Sequence, residues 1–367
     1  MKPDDLKALR APENRPLRVL VIAGSNRRQY SCPAVDSKAR TLMFRLADRL
    51  PQEWETDLED LGNVWNREQI RSCNGCVSTS QALCVWPCNC YAKGNKGAPD
   101  LMWNLDLYAR LDLADEWAII GPVNWYGASS NLKAMFDRLV CMNGGNPREE
   151  LIGHKDPKLA IALERTPEFE KLRQDHLEGR SAAFFCYGDG GGDELDATGR
   201  PKILKHPEWC DPQHKPFHDM RDSYAPLVWQ CRYSGIEVPD ALWKYIAFGW
   251  NKKYSEAQAE HLANELKMLV SFDDWADAFV AHVAMSRGRE EGQGEAQRVP
   301  CGRLRAAAAP GSRPEDEVAG GANGGRLAWS GNVTRDPAGA GTQPGRRRSL
   351  QEGGRRQAAG QMSDERS

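Results

Sequence analysis

Five cysteines crowd one short stretch of the chain: Cys73, Cys76, Cys84, Cys88 and Cys90, in the pattern C-N-G-C-x7-C-x3-C-x-C. Thiols at this density favour metal or redox chemistry over disulfides when nothing directs the chain to an oxidising compartment. Cys73, Cys76, Cys84 and Cys88 make one four-thiolate set, with Cys90 as an alternative member. Zinc fits less well, because C-x2-C followed so soon by C-x3-C is an atypical zinc spacing. Reduced, half-buried thiols at a subunit interface are the plainer reading. A second run, His206, Cys210, His214 and His218, resembles a metal stripe, but Pro207, Pro212 and Pro216 interrupt any helix that would align it. We read it as a substrate-facing loop.

Three loops of unusual composition carry the other candidate chemistry. Gly24 to Ser31, GSNRRQYS, follows the apolar run Val19 to Ala23 and precedes a helical pattern on Ala39, Leu42, Met43 and Leu46. Strand, polar turn and helix together present backbone N–H groups to a phosphate. The turn lacks GxGxxG, so it does not read as a dinucleotide fingerprint. Hydroxyls and amides around a single terminal phosphate suggest FMN, although an ordinary strand-to-helix loop has the same pattern. The second loop, Pro122 to Ser129, is PVNWYGAS, with two adjacent aromatics in a turn. The third, Gly188 to Asp193, is GDGGGD.

The elements that must position these loops form an α/β pattern. Val19–Ala23, a segment over 54–61, Trp117–Ile120, Ser181–Tyr187 and Ile236–Val238 read as five strands. Helices are expected between them: after a cap at Asp36 or Ser37, over 100–113 from Asp100, and after a cap at Ser130. Two short helices broken at Thr166-Pro167 are expected over 157–178. A capping box of Ser255 with Gln258 then opens a helix, and a separate segment carries Trp275, Phe279 and Val283. Alternating strands and helices give an open parallel sheet covered on both faces. Its ligands bind beyond the carboxyl ends of the strands, and all three loops leave carboxyl ends.

Composition bounds the rest. Residues 287–367 hold 16 of the 34 glycines and 14 arginines but no lysine and few large apolar side chains, so they read as a disordered Gly/Arg/Ala-rich tail. That tail is net +4, leaving the first 286 residues at −6; Arg346–Arg348 and Arg355–Arg356 could meet nucleic acid or acidic surfaces, but a solvated tail is the plainer reading, which makes a nucleic-acid function unexpected. Residues 1–16 read as a flexible arm. The domain spans 17–286, with a cysteine-rich loop at 70–98 and insertions at 146–179 and 194–218. The N-terminal stretch has no apolar h-region and no run of about 18 apolar residues occurs, so the expectation is a cytoplasmic protein without a membrane partner.

The loops resemble those of the flavodoxin-like NAD(P)H-dependent FMN reductase family, over about residues 17–280. Gly24-Ser25-Asn26-Arg27 is similar to the family's phosphate turn. Pro122, Tyr126, Leu132, Lys133, Asp137 and Arg138 are similar to its Pro-x-x-Tyr, Leu-Lys and Asp-Arg series. The resemblance implies a flavodoxin-like five-stranded sheet and an FMN phosphate held by Ser25, Asn26, Arg27 and Ser31. It also implies a flavin ring edged by Pro122, Val123, Asn124, Trp125, Tyr126 and Gly127, with Gly188, Asp189, Gly190 and Gly191 at its pyrimidine side. The implied reaction passes reducing equivalents from NAD(P)H to a small planar acceptor: a quinone, a flavin, or a nitro or azo compound. No catalytic side chain is required, since the flavin carries the chemistry. A homodimer or homotetramer is implied as well. A relative, the iron–sulfur flavoprotein, carries a compact four-cysteine motif after its second strand. Cys73, Gly75 and Cys76 match that motif, but Thr79 stands where another cysteine is expected. Cys84, Cys88 and Cys90 could complete a [4Fe–4S] set, which implies an alternative role as an electron carrier.

Overall fold

The structure is a computed structural model of the chain. It describes residues 15–27, 37–62, 69–91, 100–172, 176–188, 197–198, 220–247 and 258–293. All of these fall within the compact unit Met1–Pro300.

Five strands pair in parallel in the order β2-β1-β3-β4-β5. They are β1 Arg18–Ala23, β2 Glu55–Asp60, β3 Glu116–Pro122, β4 Ser181–Gly188 and β5 Trp243–Ala247. The central strands are continuous apolar runs because both of their faces are covered. On one face Val19, Val21, Ala118, Ile120, Ala183 and Phe185 pack under α1 (Lys38–Ala47) and the long C-terminal helix α9 (Gln258–Gln293). On the other, Leu20, Ile22, Trp117, Ile119 and Phe184 meet α3 (Leu107–Leu113), α4 (Ser130–Arg138) and α8 (Ala225–Tyr233). The remaining helices are short: α2 Leu101–Asn104, α5 Val140–Gly144, α6 Pro157–Glu164 and α7 Pro167–Leu172. The last two confirm the expected pair broken at Pro167.

Several expected elements are corrected. The fifth strand is Trp243–Ala247 and not Ile236–Val238. The earlier segment makes only a single bridge, Ser181 to Glu237, because Pro239 ends any ladder there for want of an N–H. The helix expected over 100–113 is split at Asp106, whose φ of 50° is incompatible with continuing the α2 turn. The start of α4 is capped by Ser129, whose hydroxyl accepts from the Leu132 N–H at 3.4 Å, and not by Ser130. The two C-terminal helical segments are one helix, α9. Met268, Phe272, Trp275, Phe279 and Val283 form an unbroken buried stripe at helical spacing, with no Gly or Pro between them. This helix runs to Gln293, past Arg287, where the tail was expected to begin. Ser255 of the expected capping box, the 199–219 excursion with its His/Cys run and the chain from 294 onward lie outside the described residues.

Ion pairs lock α9 to α1: Arg45 to Asp273 at 2.6 Å, and Arg49 to Asp273 and Asp277 at 2.8 Å. At the opposite edge Arg110 of α3 holds β2 through Asp57 at 2.7 Å and through Glu59. Among the described residues no helix is long and apolar enough to cross a membrane.

Candidate functional site

Parallel pairing brings the ends of β1, β3 and β4 to one rim, with Ala23 beside Ile120 and Pro122 beside Tyr187. The ladder continues one step beyond each end. The Gly24 N–H donates to the Ile120 carbonyl and the Val123 N–H to the Tyr187 carbonyl, both at 2.7 Å. The first and second loops are then stitched together. Ser129 donates to the Gly24 carbonyl, and the Asn26 amide donates to the Ser130 hydroxyl at 2.5 Å while accepting from the Asn131 N–H at 3.2 Å. Asn131 in turn donates to the Leu61 carbonyl at 2.8 Å. Asn26, expected at a phosphate, thus spends its side chain fastening the first loop to the start of α4. Gly62 is obligatory here, because a Cβ on it would lie 2.5 Å from the Arg27 carbonyl oxygen and 2.6 Å from that of Ser25.

Ser25 is buried, and its hydroxyl accepts from the Arg27 N–H at 3.1 Å, which tightens the turn. The Arg27 Nε is buried and has no hydrogen-bond partner among the described residues. Close by, Lys38 opens α1, and the charge of Arg27 acts on it. Burial, with help from Arg27 and against Glu265, holds the Lys38 ammonium below the usual lysine range. A cation in the first turn of a helix opposes the helix dipole unless an anion sits there. That turn has no acidic side chain of its own. Backbone N–H groups at a helix start suit an anion such as a phosphate. Lys38 was not among the residues the sequence singled out. The signal was its place immediately after the cap. Ser31 lies outside the described residues.

The second loop is a two-residue turn in which Asn124 and Gly127 bond reciprocally, at 2.8 and 3.1 Å. Trp125 and Tyr126 both have positive φ, 50° and 65°, the geometry of a type I′ turn normally built from Asn and Gly. Trp125 is 96% exposed. The fold gains nothing from holding a bulky aromatic in a left-handed conformation with its ring in solvent. Pro122 is fixed from beneath by the Tyr224 hydroxyl, which donates to its carbonyl at 3.0 Å. Gly188 closes β4 against Tyr245, whose hydroxyl a Cβ would approach to 2.9 Å. Asp189, Gly190 and Gly191 lie outside the described residues. Lys133 and Asp137 pair with each other on the exposed face of α4 and take no part in the rim.

A second site lies at the other end of α4. Cys73, Cys76, Cys84, Cys88 and Cys90 converge on one pocket, joined by Cys141. Gly75, at φ 63°, supplies the left-handed turn that folds Cys76 back toward Cys73. Cys76 and Cys90 have their sulfurs 3.7 Å apart, and the Lys155 ammonium donates to them at 3.6 and 3.4 Å. Burial works against the charge of Lys155, but Cys90 and Cys76 hold its pKa above the usual value. Burial pushes Cys90 up to about 11, with the neighbouring Cys88 adding to the rise. Cys88 is drawn down to about 5 by a hydrogen bond from Cys141 and the charge of Arg138. Arg138 is itself buried, bonded to Asp100 at 2.9 Å and reaching the Cys88 sulfur at 3.8 Å. Among the described residues no group of three or more His, Cys, Asp or Glu side chains is placed to hold a metal ion. Cys141 and Lys155 were missed because both lie far along the chain from the cysteine run.

The strand order 2-1-3-4-5 with helices on both faces defines a flavodoxin-like α/β protein whose rim is the ligand edge of that fold. Residues 17–155 match the family described as NADPH-dependent FMN reductase. Similar solved structures include general stress protein 14 of Treponema denticola in complex with FMN, at 12% identity and TM-score 0.34, covering 72% of this chain and 99% of that one. An NADPH-quinone reductase from P. pentosaceus has 12% identity and TM-score 0.32, covering 71% and 97%. An FMN-dependent NADH-azoreductase from Bacillus anthracis has 12% identity and TM-score 0.33, covering 73% and 99%. At such scores these overlaps carry no argument about activity. No curated protein matches the sequence.

Proposed function

We propose that the chain binds FMN at the rim and passes reducing equivalents from NAD(P)H to a small planar acceptor such as a quinone, a flavin, or a nitro or azo compound. The observation that carries the reading is the pairing of Arg27, with its buried unbonded Nε, and Lys38 at the opening of α1. Two cations, backbone N–H groups and the Ser25 turn suit a terminal phosphate. Trp125 and Tyr126 would edge or cover the ring, and the tight ladder extension at Gly24 and Val123 would hold both loops at fixed separation. When bound, FMN supplies the hydride chemistry. The chain's own part is to fix the phosphate, exclude water from one face and leave the other open for donor and acceptor in turn. The active form is a cytoplasmic homo-oligomer in this reading.

The test is anaerobic mixing of the flavin-loaded protein with NADPH and, separately, NADH. Bleaching of the flavin absorbance, followed by recovery on adding a quinone, is the expected result. Flavin that is retained but bleached by neither nucleotide points instead to an electron carrier served by a protein partner.

A further inference from the structure

The cysteine pocket contains a contact that the flavin rim does not explain. The sulfurs of Cys76 and Cys90 stand 3.7 Å apart, and both residues are half-buried, within reach of a small reagent. The other thiols of the pocket are covered or engaged. Cys84, Cys88 and Cys141 are buried, and Cys141 donates to the Arg138 carbonyl at 3.2 Å. The Cys73 sulfur accepts from the Gly75 N–H at 3.4 Å. Cys76 and Cys90 are therefore the pair that combines sulfur–sulfur contact with access from solvent.

The surrounding chain holds this pair together. Gly75, at φ 63°, turns the backbone so that Cys76 opens the short 3-10 turn Cys76–Ser78. The Ser78 hydroxyl and N–H both donate to the Gly75 carbonyl, at 2.7 and 2.9 Å. Beside Cys90, the Tyr91 hydroxyl donates between the Ser72 carbonyl and the Asn74 Oδ1, each at 3.0 Å. The two segments that carry the sulfurs are thus fastened to each other next to both cysteines. The Lys155 ammonium reaches both sulfurs, at 3.6 Å from Cys76 and 3.4 Å from Cys90. His154 and Lys155 have φ of 57° and 76°, a left-handed geometry that side-chain-bearing residues disfavour. That backbone delivers a cation to a place where it favours the thiolate, the reactive form of a cysteine. A disulfide needs the sulfurs about 2.0 Å apart, so they must close by about 1.7 Å, on the scale of a side-chain rotation.

The geometry points to a reversible dithiol–disulfide site made by Cys76 and Cys90 and oxidised by small hydroperoxides. A half-buried pair beside an ammonium suits a small oxidant whose leaving group is an anion. One sulfur attacks as its thiolate and the O–O bond breaks, leaving a sulfenic acid and an alkoxide or hydroxide that takes up a proton. The second thiol attacks the sulfenic sulfur. The S–S bond forms, the S–O bond breaks and water leaves. The two thiols give up two electrons and the hydroperoxide accepts them. A small-molecule thiol restores the pair by exchange and departs as its own disulfide.

The test is full-length protein, reduced and freed of reductant, treated with stoichiometric hydrogen peroxide without oxygen and mapped by mass spectrometry after thiol blocking. A peptide linked through Cys76 and Cys90, and released by dithiothreitol, is expected in the wild type and in Cys73→Ser. Cys76→Ser and Cys90→Ser should lack it, and one of them should accumulate a sulfenic acid that dimedone traps. Lys155→Gln should slow the oxidation roughly tenfold, the worth of one charge-assisted contact, and Lys155→Arg should restore most of the rate. Circular dichroism establishes that each variant has folded. Thiols left reduced by peroxide, a bridge through Cys73 or Cys84 instead, Cys76 and Cys90 oxidised to sulfonic acids without a bridge, an unchanged rate in Lys155→Gln, or a metal ion on the pair in the protein as purified would each overturn the inference.

Discussion

Replacing Trp125 by glycine separates functional strain from structural need. Trp125 sits at φ 50° with 96% of its surface exposed, so its removal uncovers no core. A non-glycine residue in the left-handed region costs about 1 to 2 kcal/mol. Glycine forfeits about 0.5 to 1 kcal/mol of that gain through unfolded-state entropy. The net change is about 0 to +1.5 kcal/mol, or a rise in Tm of about 0 to 6 °C for a unit of this size. Binding should move the other way. If the flavin or an acceptor covers about 80 Å² of the indole, its loss removes about 2 kcal/mol at 25 cal/mol per Å². That corresponds to a roughly 30-fold weakening. Scanning fluorimetry of the flavin-free protein reads the first effect. Flavin-quenching titration, together with the acceptor KM, reads the second. A fall in Tm with unchanged binding would refute the argument that this turn is strained for contact.

Other residues make separate predictions. Arg27→Gln should weaken FMN about 10- to 100-fold, the value of a lost charge-assisted bond, and leave riboflavin binding unchanged; titration of both flavins checks it. Arg138→Met strands the fully buried Asp100 carboxylate and should cost about 3 to 5 kcal/mol in urea unfolding, with much of that recovered in Arg138→Met/Asp100→Leu. Asp273→Asn removes the bridge to Arg45 and Arg49 that holds the Asp273 carboxyl below its usual range. Because a depressed carboxylate stabilises only while ionised, the difference from wild type should be under about 1 kcal/mol at neutral pH. It should close as pH falls from about 4 through the lowered pKa, which unfolding curves at several pH values would show.

Elements with one strong local signal were legible in the sequence. The runs Val19–Ala23, Trp117–Ile120 and Ser181–Tyr187 are apolar without alternation because both faces of the sheet are covered, and their continuity marked the central strands. The edge was harder. Ile236-Glu237-Val238 has strand-like residues, yet the strand falls at Trp243–Ala247, since Pro239 blocks extension and only Phe184–Gly188 offers a full partner. No local residue type announced the break at Asp106, which tertiary packing imposes on a non-glycine residue. Within the site, Ser25, Arg27 and the Trp125–Tyr126 turn could be found because small, basic and aromatic residues are conspicuous after a buried strand. Asn26 was placed in the right loop, but its side chain serves α4. Lys38 needed the helix start to be known before its position looked unusual. Lys155 and Cys141 needed the fold itself, since only three-dimensional folding brings them to the cysteine run.

The central claim is that the rim grips a phosphate beneath a flavin ring. Comparing the affinity of the flavin-free protein for FMN and for riboflavin by fluorescence quenching tests it most directly. The account predicts tight binding of FMN, with riboflavin at least about 100-fold weaker, the worth of two charge-assisted bonds from Arg27 and Lys38. Equal affinity for the two, or no binding of either, would contradict it.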